Sequence, residues 1–171
     1  MNVLTLSGSL RAASINSALL RVVARLAPPG VVVTSFDIGT LPLFNPDLET
    51  QVPAPVARLH AAVAGADGLI IASPEYVHGV SGAIKNALDW LVGLETFGGT
   101  PIAVLNASPR AHIADAALSE TLVTMSARIV DRASIGFALP GTELFEADMA
   151  RDATIAASVA TVFAELRAAV G

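Results

Sequence analysis

Residues 69–91 read LIIASPEYVHGVSGAIKNALDWL and contain the pattern that decides the fold. Residues 69–72 are apolar at every position, which is typical of a strand buried on both faces of a sheet. A polar loop with Pro, Gly and Ser follows, and from Ile84 the apolar residues recur at helical spacing. In open α/β sheets, ligands bind beyond the carboxyl ends of the strands. The loop between this strand and this helix is therefore predicted to form part of a ligand site.

The same alternation of strand and helix patterns extends along the whole chain. Short apolar runs predict strands at residues 3–6, 31–36, 69–72, 102–105 and 134–137. Helical spacing predicts helices at residues 15–26, 56–64, 84–91, 114–127 and 155–166. Strands separated by helices pair in parallel. We therefore expect one α/β domain spanning residues 1–171: a flavodoxin-like, doubly wound, five-stranded parallel sheet of order 2-1-3-4-5, with helices on both faces in three α/β/α layers.

Composition restricts the classes of function. The chain of 171 residues is 53% hydrophobic and has no cysteine, which excludes disulfides, thiolate metal sites and cysteine nucleophiles. A net charge of −5 argues against a nucleic-acid partner, which usually requires a basic face. No uninterrupted apolar run reaches the roughly 20 residues of a membrane span. These features predict a cytoplasmic protein without nucleic-acid or membrane partners.

A second polar loop follows the first predicted strand. Residues 7–17 read SGSLRAASINS and lead into the first helix, whose free amides and positive dipole end suit a phosphate. Serine hydroxyls, the Asn16 amide and the Arg11 guanidinium are further donors. The loop matches neither Gly-x-x-x-x-Gly-Lys-Ser/Thr nor Gly-x-Gly-x-x-Gly, which disfavours a dinucleotide lying across it. The alternative is that Ser14 or Asn16 only caps the helix and that Arg11 is an ordinary surface residue.

Three segments taken together resemble a known family. They are GSLRAASIN at residues 8–16, SPEY at residues 73–76 and GVSGAIKNALDW at residues 79–90. In this order and spacing the chain resembles the NAD(P)H-dependent FMN reductases, a family that includes flavodoxin-like quinone and chromate reductases. It departs from the family where Val77 stands in place of the usual Asn, and where residues 106–112, NASPRAH, replace a loop that is often Gly-rich.

The resemblance implies a set of FMN contacts. The first loop would hold the phosphate through Ser9, Arg11, Ser14, Asn16 and Ser17. The second loop and the loop after the fourth strand would frame the ring and the ribityl chain through Pro74, Glu75, Tyr76, Val77, His78, Gly79, Ser81 and Ser108. NAD(P)H would be the co-substrate, with a small electron acceptor such as a quinone, free flavin, azo compound or metal oxyanion. The family's assembly implies a homodimer or homotetramer.

The chemistry implied by the resemblance belongs to the flavin, so no catalytic acid, base or metal is predicted. His78 is expected to make one structural hydrogen bond, and proton donation is the alternative. For Glu75 a bond to the ribityl chain, a bond to a backbone amide and a solvated carboxylate all remain open. Lys85 and Asp89 are expected to pair with each other, and Trp90 to lie in the core, with an interface role as the alternative.

Two rival functions remain on the sequence alone. One is a flavodoxin-type FMN electron carrier without NAD(P)H activity of its own, although such carriers usually present a strongly acidic face. The other is a non-catalytic module that binds a phosphorylated ligand. Activity with NAD(P)H separates the first rival from a reductase, and binding of FMN separates the second.

Overall fold

The computed structural model describes residues 1–108, 111–137, 139 and 146–171. Strands β1 to β7 span Asn2–Ser7, Val32–Phe36, Gly68–Ala72, Glu75–Tyr76, Gly79–Val80, Pro101–Leu105 and Arg128–Ile129. Helices α1 to α6 span Ile15–Arg25, Ala54–Ala64, Gly82–Asp89, His112–Thr124, Glu146–Met149 and Ala153–Val170. Short 3₁₀ helices lie at Ile38–Thr40, Pro46–Gln51, Glu95–Phe97 and Asp131–Ala133. Two of them lie in the segment between β2 and α2, residues 37–53, here called the long loop.

The main sheet is parallel and has the order β2-β1-β3-β6-β7. Counted as the five strands of this sheet, the order is the predicted 2-1-3-4-5. The central strands β3 and β6 are buried at every position, because helices cover both faces. Strands β4 and β5 form a separate antiparallel hairpin beyond the end of β3.

Side chains that alternate along the central strands divide the core into two layers. Ile70 and Ala103 belong to the layer under α1 and α6, whereas Leu69 and Ile102 belong to the layer under α2, α3 and α4. Burial of this kind is worth roughly 1.5–3 kcal/mol for each large apolar side chain. The sheet thus packs between two apolar layers. This packing fixes the ends of its strands, from which the loops start.

The longest helix, α6, is the one described helix that is long and apolar enough to cross a membrane, with a mean hydropathy of 1.5 over 18 residues. Its core-facing side chains are Ile155, Val159, Val162, Phe163 and Leu166. They recur at three- and four-residue spacing and pack into the layer shared with α1. One face of α6 thus packs against the sheet.

The fifth strand of the sheet differs from the prediction. The helix predicted to reach residue 127 ends at Thr124, because Ser126 takes a left-handed backbone with φ 61° and turns the chain. Strand β7 then pairs at Arg128–Ile129, and the predicted strand at residues 134–137 contributes only an isolated bridge between Gly136 and Asn106. The 3₁₀ turn at Asp131–Ala133 separates the two pairings. The edge strand is therefore split, which periodicity over so few residues could not predict.

Candidate functional site

The two polar loops meet at the carboxyl edge of the sheet, as predicted. Strands β1 and β3 are neighbours, with Ser7 in register with Ala72, so the loops that follow them lie side by side. The amide of Gly8 donates to the carbonyl oxygen of Ala72 at 2.8 Å. The hydroxyl of Ser81 donates to the carbonyl oxygen of Gly8 at 2.5 Å. The start of the first loop is thus bonded to both ends of the second.

Gly8 is at the closest approach of the two loops. A Cβ placed on Gly8 would lie 2.3 Å from Oγ and 2.8 Å from Cβ of Ser73. Real Cβ contacts are not that short, so any side chain at residue 8 would push the loops apart. Glycine is required at this position by the packing of the loops rather than by its backbone angles.

The first loop presents polar side chains that are mostly buried. Ser14 is the N-cap of α1, where its hydroxyl accepts from the Ser17 amide at 3.3 Å. Ser9, Ser14 and Asn16 are each at most 9% exposed, whereas Arg11 is exposed. Within the part of the chain that the structure describes, the buried Oδ1 atom of Asn16 has no hydrogen-bond partner. Such a group is costly unless something else pairs with it, and the first turn of α1 beside it carries no acidic residue.

The hydroxyl of Ser17 lies 2.8 Å from that of Ser7, so these two serines form a pair at the base of the loop. The sequence prediction that Ser14 or Asn16 caps the first helix is confirmed for Ser14. A cap at Ser14 leaves its hydroxyl proton free to be donated, because the oxygen acts as the acceptor. The capping role and a role in phosphate binding are therefore compatible.

The second loop is largely a β-hairpin. Its two-residue turn consists of Val77 and His78, whose φ angles are 51° and 57°. Positive φ at both central residues is the requirement of a type I′ turn, which Asn and Gly meet easily and a β-branched residue does not. Tyr76 is 54% exposed and Val77 is fully exposed. The turn that departs from the family pattern is therefore a strained, apolar tip that projects into solvent.

The side chain of Glu75 joins this hairpin to helix α4. One carboxylate oxygen accepts from the amides of Ile113 and Ala114 at 3.0 and 2.9 Å, and the other lies 2.9 Å from Nδ1 of His78. The hydrogen bond from the Ala114 amide, supported by His78 and by the Ile113 amide, holds the pKa of Glu75 below its usual range against the opposing effect of desolvation. Of the three alternatives for Glu75, the structure thus shows the backbone-amide bond, and the expected structural bond of His78 is confirmed.

The third loop at this edge follows β6. The Ser108 amide donates to Oδ1 of Asn106 at 2.9 Å, and the Asn106 side chain donates to the carbonyl oxygen of Ala111 at 3.2 Å. Asn106 thus organises the backbone that leads into α4. Of the loop segment at residues 106–112, residues 109 and 110 lie outside the described residues.

Asn86 has a role that was not predicted from the sequence. Its side chain accepts from the Phe44 amide at 2.8 Å and donates to the carbonyl oxygen of Pro42 at 3.0 Å. The indole of Trp90 donates to the same oxygen at 2.9 Å and packs edge-on against the Phe44 ring. Asn86 and Trp90 are four residues apart and therefore share a helix face, which was the available signal. Together they fix residues 42–44 of the long loop onto α3.

Trp90 is 3% exposed, so its predicted place in the core is confirmed and the alternative of an interface role is wrong. The predicted ion pair between Lys85 and Asp89 is also present on the exposed side of α3. Lys85 is exposed and Asp89 is half-buried, and neither takes part in the contact between the loops.

A groove of about 680 Å³ lies beside the first loop, between α1 and the edge strand β2. It shares Ser9 and Ser17 with the loop, and its other wall consists of residues 33–40. None of the residues predicted to frame the flavin ring lines it. The predicted ring-binding residues of the second and third loops therefore lie outside this groove.

Comparison with known proteins agrees with this arrangement. A family model described as NADPH-dependent FMN reductase matches residues 1–140. The chain is 40% identical over 111 residues to the NAD(P)H-dependent FMN reductase PA1204 of Pseudomonas aeruginosa. This match covers 63% of the chain and 60% of the relative. The chain is 35% identical over 113 residues to a quinone reductase of Escherichia coli, which again covers 63% and 60%. The match thus spans about three fifths of the length of these relatives.

Solved structures show the same fold over nearly the whole chain. The flavoenzyme NAD(P)H:(acceptor) oxidoreductase FerB from Paracoccus denitrificans is 27% identical and has a TM-score of 0.77, with 97% of this chain and 95% of FerB covered. The apo form of the NADH:FMN oxidoreductase EmoB is 21% identical, has a TM-score of 0.68 and covers 98% and 89%. The second likeness supports the fold alone.

The family model covers the strands β1, β3 and β6 and all three loops at their ends. The predicted flavodoxin-like fold is confirmed, and the predicted cofactor FMN and co-substrate NAD(P)H are those of the matching family. The chain belongs to the NADPH-dependent FMN reductase family.

Proposed function

We propose that the protein is an FMN-containing oxidoreductase that takes hydride from NAD(P)H and passes electrons to a small acceptor of the quinone class. The observation that carries this proposal is the hydrogen bond between Ser81 and Gly8, which holds the two predicted halves of an FMN site together. Membership of the reductase family supports the activity, and the names of the relatives support the acceptor class.

The residues of the first loop fit an FMN phosphate. The hydroxyls of Ser9 and Ser14, the Arg11 guanidinium and the first-turn amides of α1 supply donors, and no acidic side chain of that turn opposes an anion. The unpaired oxygen of Asn16 is an acceptor and therefore suits a ribityl hydroxyl rather than a phosphate oxygen. Ser17 is assigned a supporting role, because its hydroxyl pairs with that of Ser7.

The residues of the second loop fit the ring and ribityl side in two different ways. The hydroxyl of Ser81 and the carboxylate of Glu75 are engaged within the protein, so they shape the loop. The exposed Tyr76, together with the backbone of the turn, is assigned direct contact with the flavin. The remaining members of the predicted set keep the assignment that the family resemblance gave them, namely Pro74, Val77, His78, Gly79 and Ser108.

When bound, FMN supplies the hydride-accepting centre, and the side chains need only hold it. Glu75 already accepts two amide bonds, so this carboxylate is not a free general base. His78 is bonded to that same carboxylate through Nδ1. Binding and orientation are therefore the tasks assigned to these residues, with proton donation by His78 as the alternative.

The visible spectrum of the purified protein tests this function. A flavin spectrum that bleaches with NADPH or NADH, followed by steady-state turnover with benzoquinone, is expected. Bound FMN without NAD(P)H turnover would support the electron-carrier alternative. A colourless protein that does not quench the fluorescence of added FMN would contradict the whole proposal and support the phosphate-ligand module.

The assembly and location belong to the same proposal. Exposed apolar side chains lie on the first loop, on the long loop and at the turn of the hairpin: Leu10 is 62% exposed, Leu43 is 83% exposed and Val77 is fully exposed. This distribution supports a homodimer or homotetramer that covers the edge, measurable by light scattering after size exclusion. A cytoplasmic protein without membrane or nucleic-acid partners fits the cysteine-free, acidic chain, and cell fractionation tests that location.

A further inference from the structure

The hairpin β4–β5 requires an anchor. It contains two residues in each strand, and within the described residues its strands pair only with each other. A two-stranded hairpin is at best marginally stable in water unless it packs against another element. Its turn is also strained at Val77. Side-chain contacts must therefore hold the hairpin in its observed place.

The carboxylate of Glu75 makes such a contact, and it does so at a helix end that needs one. Helix α4 begins at His112, and its N-cap residue, Ala111, has no side chain that could accept a hydrogen bond from the first turn. Glu75 accepts the amides of Ile113 and Ala114 from a position 38 or 39 residues earlier in the chain. The negative charge of the carboxylate also interacts favourably with the positive end of the helix dipole. Glu75 is thus the N-terminal cap of α4, supplied from another element.

This cap joins the two loops that enclose the ring side of the proposed site. The hairpin belongs to the loop after β3, and α4 is entered from the loop after β6. The side chain of Glu75 is 11% exposed, while its partners Ile113 and His78 are exposed. The neighbouring titratable groups are His78, which bonds to the free side of the carboxylate, and the exposed His112 and half-buried Asp115 on α4.

We propose that Glu75 is a positioning residue that fixes the separation of the β3 and β6 loops by capping α4, and thereby sets the geometry in which the flavin ring is held. The inference rests on the proposed function for its flavin part. Its structural part, the charged cap, concerns the apoprotein and can be measured without any cofactor.

Asp152 offers a matched control. Its carboxylate caps α6 by accepting the amides of Thr154 and Ile155 at 2.8 and 3.0 Å, the same chemistry as at Glu75. It lies in the segment after α5, outside the three loops of the candidate site. Glu75→Gln and Asp152→Asn each remove a capping charge while keeping the side-chain shape. A purely structural role for Glu75 predicts that the two variants behave alike.

The first measurement is an NMR titration of the apoprotein. The amide protons of Ile113 and Ala114 should shift together as the pH falls through the pKa of Glu75, and this transition should be absent in Glu75→Gln and unchanged in Asp152→Asn. Amides that do not report the titration in the wild type, or that report it equally in Glu75→Gln, would overturn the cap.

The second measurement compares FMN binding by fluorescence quenching, together with the visible spectrum of the bound flavin. Glu75→Gln should weaken FMN binding by about tenfold, which is the loss seen at metal sites when a residue that positions a ligand is removed. It should also shift the absorption bands of the bound flavin. Asp152→Asn should have neither effect. Equal affinity and identical spectra in all three proteins would overturn the positioning role. A wild type that shows the amide titration but binds no FMN would instead refute the proposed function and, with it, the positioning of a flavin.

Discussion

The hydroxyl of Ser81 bonds to the carbonyl oxygen of Gly8 across 73 positions of sequence and at the same time accepts the Ile84 amide as the N-cap of α3. One buried side chain therefore starts a helix and joins the two loops of the candidate site. This pair of bonds fixes the arrangement of the two loops. It also makes the site sensitive to small changes at either residue.

Ser81→Ala should lower the free energy of unfolding of the apoprotein by about 2–3 kcal/mol, because it removes a helix cap and leaves a buried carbonyl oxygen unpaired. Urea denaturation measures this change. Ser14→Ala, which removes only the cap of α1, is the matched control and should cost about 1 kcal/mol. Equal losses in the two variants would show that the bond between the loops contributes nothing.

Gly8→Ala should destabilise the protein and weaken FMN binding, because the new Cβ would overlap Ser73. An overpacked site of this kind costs about 1–3 kcal/mol. The double variant with Ser73→Gly removes the clashing atoms and should recover most of the loss in denaturation and in FMN binding. Gly82→Ala, where a Cβ meets nothing within 4 Å, should be tolerated. A Gly8→Ala protein as stable as the wild type would contradict the close approach.

Val77→Asn should stabilise the protein by about 1 kcal/mol, since Asn tolerates the left-handed backbone that Val77 is forced to adopt. Thermal unfolding of the apoprotein measures the gain. Val92→Asn is the control, because Val92 is also an exposed valine but is not among the described residues with positive φ. A similar gain in both variants would show that replacing an exposed apolar side chain, rather than relief of strain in the turn, stabilises the protein.

Arg11→Ala should weaken FMN binding by about 1.5–3 kcal/mol, the usual contribution of a hydrogen bond to a charged group. The loss should shrink at high salt, because the interaction involves an exposed charge. Arg25→Ala, at the opposite end of α1, should leave affinity unchanged. Isothermal titration with FMN decides the matter, and unaltered affinity in Arg11→Ala would contradict the phosphate assignment.

We expect the stability of the folded protein to depend on pH through Asp115. Burial raises the pKa of its carboxyl group, so the folded protein holds that proton more tightly than the unfolded chain does. The stabilising contribution is fully present below the unfolded pKa and is lost as the pH rises through the folded value. Asp115→Asn should therefore stabilise the protein more at pH 7 than at pH 3.5. A gain in melting temperature that does not vary with pH would contradict this assignment.

Much of the site could be anticipated from sequence because its signals are local. The apolar run at residues 69–72, the serine-rich loop at residues 7–17 and the cap at Ser14 each depend on neighbours within one turn or strand. The contacts of Glu75, Ser81 and Asn86 could not be anticipated in the same way. Each of these side chains bonds to a partner more than 30 residues away, and only the packing of the elements brings such partners together.

The sequence by itself determined a parallel α/β sheet with two polar loops at one edge. The spacing of apolar residues in strands and helices and the polarity of the loops depend only on residues that are close together in the chain. The tertiary structure decided the contacts that hold those loops in place. Glu75 bonds to the start of α4, Ser81 bonds to Gly8, and the turn at Val77 is strained. It also split the last strand into two short pairings around a 3₁₀ turn. These features depend on distances between elements, which local pattern does not specify.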